Sequence, residues 1–210
     1  MVFLVMVRIR AGIEDRCSGC KIHKNFCFCD HFSRLHLKTK VSIVMHVSER
    51  KLPSNTAWIT KQALDNCSLF IRGEVNHHFE AAAVLSDEYI PLFLFPEAGA
   101  LPLTKTLVSQ FDKPVQLIVP DGNWHQAKKV KMREKGFASV QSVCLKENYD
   151  SIYSLRQEPF PGALCTLEAI SYALKELEGE QPFWYLMEIL KTMVYRTDLV
   201  RRGYNQLLPL

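Results

Sequence analysis

The sequence has 210 residues, of which 48% are hydrophobic, and 26 Lys and Arg against 22 Asp and Glu give a formal net charge of +4. This length and composition suffice for one folded domain with a substantial core, and they exclude a chain that is disordered for most of its length. The small basic excess is compatible with a polyanionic partner but does not require one. The apolar start MVFLVMV is shorter than a secretory signal requires, and no apolar run approaches the about 20 residues of a membrane span, so we expect a cytoplasmic protein with no membrane partner.

The N-terminal segment, residues 1–35, is predicted to form a small metal-binding knuckle. Four of the chain's seven cysteines fall close together in it, as Cys17-x-x-Cys20 and Cys27-x-Cys29. Four soft thiolates suit a tetrahedral zinc ion, and a complete set of four leaves no coordination position for catalysis, so the zinc would be structural. An iron–sulfur cluster is the alternative, although the tight second pair and the lack of a proline after the last cysteine disfavour it.

The middle of the chain, residues 36–160, alternates apolar runs with segments of helical pattern. The runs are nearly continuous in Val, Ile, Leu and Phe, as in strands covered on both faces, and lie at 41–47, 68–73, 89–96, 114–120 and 139–145. Helical patterns lie between them at 55–65, 99–111 and 122–135. This alternation predicts an α/β fold with a mainly parallel sheet flanked by helices. Residues 163–202 predict two more helices, the first ending at Gly179 and the second following Pro182.

Polar, aromatic and glycine residues follow four of the predicted strands. The segments are SERKLPSNTA (48–57), EAGA (97–100), DGNWHQ (121–126) and YSLRQEPFPG (153–162). Because ligands of open parallel sheets bind where the carboxyl ends of the strands meet, we expect these segments to converge on one site.

Five segments, in this order along the chain, resemble the DTW-domain family of tRNA-uridine aminocarboxypropyltransferases. They are the cysteine set, MHVSERKLPSNTA (45–57), LFLFPEAGA (92–100), IVPDGNWHQAKKV (118–130) and YSLRQEPFPGALCTLEAISYAL (153–174). The family is named after an Asp, a Thr and a Trp; Asp121 and Trp124 are present, whereas Asn123 replaces the threonine. The proline usual between the cysteine pairs is also missing.

The resemblance implies a fold, a reaction and partners. Residues 36–210 would form the catalytic α/β domain, SPOUT-like and related to the knotted methyltransferases. The enzyme would transfer the 3-amino-3-carboxypropyl group of S-adenosylmethionine to N3 of a uridine in tRNA and release 5'-methylthioadenosine. The rival functions are a SPOUT-type RNA methyltransferase that uses the same co-substrate, and a non-catalytic zinc-knuckle protein that binds RNA.

Uridine N3 must lose a proton in this reaction, so a nearby carboxylate would help as a base or by orienting the ring. Asp121 and Glu97 are the candidates, with Trp124 against the adenosine or the uridine, and these three form the predicted catalytic set. In simpler interpretations Asp121 caps the following helix, Trp124 anchors that helix, and Glu97 is a surface acid in a turn. The predicted co-substrate set comprises Ser54, Asn55, Thr56, Glu97, Gly99, Asp121, Gly122, Asn123, Trp124 and Thr166, although capping of a helix also explains Thr166.

Basic residues near these motifs are predicted to contact RNA phosphates. They are Arg50, His125, Lys128, Lys129, Lys131 and Arg156. The competing interpretation is a solvated charged surface, which is what a run of charges on a helix usually forms. For Arg50 and Arg156 a carboxylate is an equally suitable partner.

Overall fold

The fold is built on six parallel strands, described in a computed structural model that covers Gly12 and residues 14–146, 149–157 and 161–207. The apolar start 1–7 and residues 158–160 of the last motif lie outside the described residues. The strands are β1 (Lys40–His46), β2 (Cys67–Arg72), β3 (Ile90–Leu94), β4 (Leu101–Pro102), β5 (Val115–Asp121) and β6 (Gln141–Cys144). They pair in the order β2-β1-β5-β3-β6-β4, and every pairing is parallel. The predicted parallel α/β sheet is therefore confirmed.

Five α-helices accompany the sheet in the described residues: α1 (Ala57–Ala63), α2 (Lys105–Val108), α3 (Trp124–Arg133), α4 (Thr166–Glu178) and α5 (Glu180–Arg201). Gly179 separates α4 from α5 with a φ of 100°, a backbone conformation that favours glycine. The helix α5 begins at Glu180, so Pro182 lies in its first turn. Proline is tolerated there because the N–H groups of a first helical turn have no intrahelical acceptor.

The predicted helix at 99–111 is largely wrong. Residues Leu101–Pro102 add a short edge strand to β6, and a single helical turn begins only at Lys105. The Thr104 side chain fixes this start by accepting the N–H of Leu107 at 3.1 Å. Pro102 has no N–H to donate within a helix but is tolerated in an edge strand. Pairing with β6 and one helical turn therefore replace the long predicted helix.

Alternate strand residues cover the two faces of the sheet. Leu117 and Val119 of β5 pack into the larger core with α1, α4, α5 and the knuckle. Ile118 points the other way and packs with Phe93, Phe137 and the apolar side of α3. Layers on both faces explain why the strand sequences are apolar at consecutive positions rather than alternating.

The knuckle packs directly onto this larger core. Phe26 and Phe28 are completely or almost completely buried within it. Arg196 of α5 donates to the carbonyl oxygens of Phe26 at 3.3 Å and Cys27 at 2.6 Å. Folding of the knuckle and docking of α5 are thus linked.

The strand order also creates a crevice at the carboxyl edge of the sheet. The connection from β1 leads outward to β2, whereas the connection from the adjacent β5 leads toward β6 on the opposite side. Two neighbouring strands whose connections leave in opposite directions open a gap between them, which is where open α/β sheets bind ligands. Among the described residues, no helix combines the length and apolar character needed to cross a membrane.

Candidate active site

A cavity of about 640 Å³ occupies this crevice. Its size lies within the range of small-molecule sites. Its walls come from the segments after β1, β3, β5 and β6 and from the start of α4. The convergence expected from the sequence therefore occurs for three of the four segments, while EAGA (97–100) contributes none of its residues.

Asp121, the last residue of β5, is the buried acid of this cavity. Only 4% of the residue is exposed. The Thr166 hydroxyl donates to its Oδ1, and the Asn55 amide donates to its Oδ2 at 2.7 Å. Burial raises the pKa of Asp121 to about 6, even though these two hydrogen bonds favour the charged form. Its carboxylate does not cap α3, so that simpler interpretation of Asp121 is wrong.

Asn123 is the residue that caps α3. Its Oδ1 accepts the N–H of Gln126, and the Gln126 Oε1 accepts the N–H of Asn123, both at 2.9 Å. This reciprocal capping box holds the N-terminus of α3, and therefore Trp124, beside the cavity. Threonine and asparagine both cap helices well, which explains physically how Asn can stand where the family has Thr.

Glu49 is a second buried carboxylate in the cavity wall, and the sequence interpretation gave it no role. Its Oε2 accepts the Asn55 Nδ2 at 3.1 Å and an N–H of Arg156 at 2.8 Å. It lies in the 3-10 turn Val47–Glu49 directly after β1. The signal was its place in SERKLPSNTA, where an acid following a buried strand end faces the same edge as Asp121.

Arg156 lines the cavity and is anchored on two sides. Besides the ion pair with Glu49, its Nε donates to the Ser54 Oγ at 3.0 Å. The hydroxyl of Tyr153 fixes the same loop by donating to the Ser54 carbonyl oxygen. Burial alone would lower the pKa of Arg156, but Tyr153 and Glu49 raise this pKa above its ordinary value. The guanidinium therefore stays charged beside the two carboxylates.

The remaining predicted co-substrate residues of this region have defined structural contacts. Thr56 Oγ1 accepts the N–H of Leu167 at 3.2 Å, and Asn55 Oδ1 accepts the N–H of Ala57 at 2.9 Å. These bonds tie the loop after β1 to the starts of α1 and α4. The cavity-lining members of the predicted set are Ser54, Asn55, Thr56, Asp121, Gly122, Asn123, Trp124 and Thr166.

Several aromatic rings line the cavity. Trp124 is 36% exposed and lies against Phe95, with the ring centroids 4.8 Å apart. Tyr149 and Tyr153 contribute from the segment before α4. Except for Trp124 these rings were not predicted, because their positions depend on how distant loops fold back over the sheet.

Glu97, Gly99 and Arg50 lie outside the cavity wall. Glu97 accepts hydrogen bonds from Lys131, at 3.0 Å, and from the Ser142 hydroxyl. Burial alone would raise its pKa, but these bonds lower the pKa of Glu97 below its ordinary value. Arg50 forms an ion pair with Glu74 at 2.7 Å. The structure therefore does not bring Glu97 and Gly99 together with the other predicted co-substrate residues.

Apart from Arg50, the predicted RNA-contact residues divide into two groups. His125, Lys128 and Lys129 are exposed on α3, next to Trp124. Lys131 is instead engaged with Glu97 and Ser142, and Arg156 lies within the cavity wall. Only the first group leaves its charges on the outer surface of α3.

The four predicted metal ligands come together in the knuckle. The sulfurs of Cys17, Cys20, Cys27 and Cys29 all lie within 4.8 Å of one another. Three of the sulfur–sulfur distances are 3.3, 3.8 and 3.9 Å, and a tetrahedron with zinc–sulfur bonds of about 2.3 Å has edges of about 3.8 Å. Burial raises the pKa of the Cys20 thiol to about 12, so it keeps its proton unless a cation replaces it. Donor set and spacing thus fit a tetrahedral metal ion.

Fold and cavity together define an α/β protein with a cavity of small-molecule size at a switch point of a parallel sheet and with a four-cysteine knuckle. Comparison with known families is consistent with this class, since the model of the DTW domain matches residues 14–198. The chain belongs to the DTW domain family.

Several curated relatives of this chain are named tRNA-uridine aminocarboxypropyltransferases. The tRNA-uridine aminocarboxypropyltransferase 2 of Macaca fascicularis is 27% identical over 84% of this chain and 60% of its own length. The enzyme of that name from Mus musculus is 29% identical over 79% of this chain and 57% of its own. The tRNA-uridine aminocarboxypropyltransferase A of Arabidopsis thaliana is 28% identical over 85% and 79%. The chain spans less than two thirds of the length of the two mammalian relatives, and no solved structure matches it significantly.

Proposed function

We propose that this chain is an enzyme that transfers the 3-amino-3-carboxypropyl group of S-adenosylmethionine to N3 of a uridine in tRNA and releases 5'-methylthioadenosine. Membership of the DTW family and the names of the relatives support this activity. The structural observation that carries the proposal is the buried Asp121 carboxylate, which lines a small-molecule cavity at the switch point beside Trp124.

Asp121 would accept the proton of the uridine. Thr166 and Asn55 each occupy one of its two oxygens, and a carboxylate oxygen has a further lone pair for an incoming proton. As the N3–H bond breaks, the nitrogen lone pair forms a bond to the γ-carbon of the methionine moiety. The carbon–sulfur bond breaks in the same step, and its electron pair neutralises the sulfonium. A pKa of about 6 leaves Asp121 ionised at neutral pH and closer to the working pH than an ordinary aspartate.

The walls of the cavity suit both substrates. Trp124 and Phe95 offer a ring pair for stacking an adenine or an extruded uridine. Glu49 and Asp121 outnumber Arg156 in charge, which favours a ligand that carries a sulfonium. The cavity-lining residues of the predicted set would surround the co-substrate.

Transfer RNA would approach over α3. His125, Lys128 and Lys129 are exposed beside Trp124, so the two lysine charges and the His125 ring would meet phosphates flanking a uridine in the cavity. The relatives' names support tRNA as the class of substrate.

The knuckle would hold a structural zinc ion. All four cysteines serve as ligands in this proposal, so the ion has no open position and takes no part in the transfer. Its contribution is to fold the segment that packs against α5. The division at residue 35, the SPOUT relation with its knot and the cytoplasmic location remain predictions from the sequence.

The by-product of the reaction tests the proposal. Incubation of the purified chain with S-adenosylmethionine and tRNA is expected to release 5'-methylthioadenosine. S-adenosylhomocysteine would instead show methyl transfer, and release of neither compound with tRNA still bound would favour the non-catalytic alternative. Asp121→Ala is the matched variant, for which we expect a loss of turnover by about 100-fold or more with tRNA binding retained.

A further inference from the structure

A single amide group bridges the two carboxylates of the cavity. The Asn55 Nδ2 donates to the Asp121 Oδ2 at 2.7 Å and to the Glu49 Oε2 at 3.1 Å. All three residues are buried, with exposures of 3, 4 and 6% for Asn55, Asp121 and Glu49. Since an amide nitrogen has only two hydrogens, both are used by these bonds, and the orientation of Asn55 is fixed by Glu49 as much as by Asp121.

Glu49 is itself paired with the guanidinium of Arg156. Arg156 donates to the same Oε2 at 2.8 Å, and its Nε is anchored on Ser54. The chain of contacts therefore runs from Arg156 through Glu49 and Asn55 to Asp121. Burying two carboxylates with one guanidinium is unfavourable unless each is hydrogen-bonded, so the network is costly for a purely structural element.

We propose that Glu49 is a positioning residue of the reaction: through Asn55 it orients the Asp121 carboxylate, and its negative charge keeps that carboxylate a good proton acceptor. The inference rests on the proposed function and assigns a role to a residue that does not itself touch the reacting atoms. Arg156 pairs with Glu49 and has the opposite electrostatic effect on Asp121.

The groups that face Asp121 come from the segment after β1, the segment before α4 and the start of α4. Among the described residues, Thr166 of α4 and Asn55 donate hydrogen bonds to it, while Glu49 and Arg156 act on it by charge. Burial is the largest cause of the raised pKa of Asp121; Glu49 raises this pKa further, whereas Thr166, Asn55 and Arg156 lower it. Removing the charge of Glu49 must therefore move the titration of Asp121 to lower pH, and removing that of Arg156 must move it to higher pH.

Glu49→Gln isolates the charge from the contacts. Both donors, Asn55 and Arg156, use the one oxygen Oε2, so the amide oxygen of Gln can accept the same two hydrogen bonds. The measurement is the pH dependence of the single-turnover rate, whose acid limb follows Asp121. We expect Glu49→Gln to shift the midpoint of this limb downward by about one pH unit and Arg156→Gln to shift it upward. Glu74→Gln is the matched control, since it removes the acid of another Arg–Glu pair outside the cavity and should leave the midpoint in place.

A second measurement covers loss of activity or of folding. Carbon-13 NMR of labelled aspartate carboxyls reports the titration of Asp121 without turnover, in the wild type and in whichever of the two cavity variants folds. If the wild type forms no product, the proposed function fails, and the NMR shift still decides whether Glu49 controls Asp121. Glu49→Gln lowering the rate equally at all pH values, with rate midpoint and NMR titration unchanged, would overturn the inference and leave Glu49 a structural residue.

Discussion

Asp121 combines a structural cost with a chemical use. Its folded pKa of about 6 lies above the 3.8 of an ordinary aspartate, so above pH 6 the buried charge destabilises the fold by about 3 kcal/mol. This cost diminishes as pH falls through 6 and is absent below about pH 4, where the carboxyl is protonated in both the folded and the unfolded state. Enzymes often retain such unfavourable groups because the reaction needs them.

Asp121→Asn is therefore expected to stabilise the protein while removing its activity. The gain should be about 2 kcal/mol at pH 7, because Asn lacks the buried charge but loses the acceptor that faces Asn55. Urea denaturation at pH 7 and pH 4.5 measures it, and the gain should shrink at the lower pH. A variant less stable than the wild type at pH 7 would show that the charged form of Asp121 stabilises the fold.

Asn123 is expected to act as a helix cap with no chemical role of its own. Asn123→Thr should keep both stability and activity, because a threonine hydroxyl can accept the N–H of Gln126. Asn123→Ala should lose about 1 kcal/mol of stability and move Trp124. Thermal denaturation together with turnover checks both variants. If the Thr variant folds normally but is inactive, the Asn123 side chain has a role in the reaction beyond capping α3.

At the scale of single residues, the sequence predicted the location of the acid but not its surroundings. Asp121 could be found because a buried strand ends at it. The capping by Asn123 could not be predicted, because it depends on the residue at which α3 begins. The link from Glu49 to Asp121 could not be predicted either, because it passes through the hydrogen bond between Asn55 and Asp121, which are 66 positions apart in the sequence. Glu97 shows the converse error, because its motif lies at a strand end while Lys131 and Ser142 hold its side chain outside the cavity.

At the scale of elements, the knuckle and α5 depend on each other. The four sulfurs and the two carbonyl groups bound by Arg196 come from the same short segment, so a metal ion that orders the knuckle also supports α5. The central strands were predictable because their apolar runs have no competing pattern. The error at 99–111 arose because a two-residue edge strand carries no periodicity of its own.

Cys20→Ser is expected to release the metal and destabilise the chain by more than about 3 kcal/mol. Elemental analysis should find about one zinc ion per chain in the wild type and less in the variant. Cys67→Ser is the matched control, since Cys67 lies on β2 outside the cluster and should leave the metal content unchanged. A wild type that contains no metal as purified, or a Cys20→Ser variant as stable as the metal-bound wild type, would contradict a structural zinc site.

At the scale of the whole molecule, the small net charge matters less than its distribution. The exposed cations of α3 lie on the face of the sheet opposite α4 and α5, next to the mouth of the cavity at Trp124. A tRNA bound there would place its backbone on α3 and a uridine toward Asp121. Overall charge could not predict this arrangement, because an excess of four charges is compatible with many surfaces.

Replacing Lys128 and Lys129 together with Ala should weaken tRNA binding and make its dependence on salt less steep, by about one unit of slope for each phosphate that no longer meets a lysine. Binding titrations at several salt concentrations measure both effects. Lys105→Ala is the control, because Lys105 is equally exposed but lies on α2, against the other face of the sheet. Lys105→Ala weakening binding by as much per lysine removed as the double variant would indicate a diffuse electrostatic effect rather than a binding face on α3.

Transfer of an isotope label from the co-substrate to uridine tests the proposed reaction directly. S-adenosylmethionine labelled with carbon-13 in its carboxypropyl carbons is incubated with the protein and unmodified tRNA, and the nucleosides are analysed by mass spectrometry. We expect the wild type to form a uridine that carries the labelled aminocarboxypropyl group at N3, and Asp121→Ala not to form it. A uridine that carries only a methyl group, or labelled product formed equally well by Asp121→Ala, would contradict it.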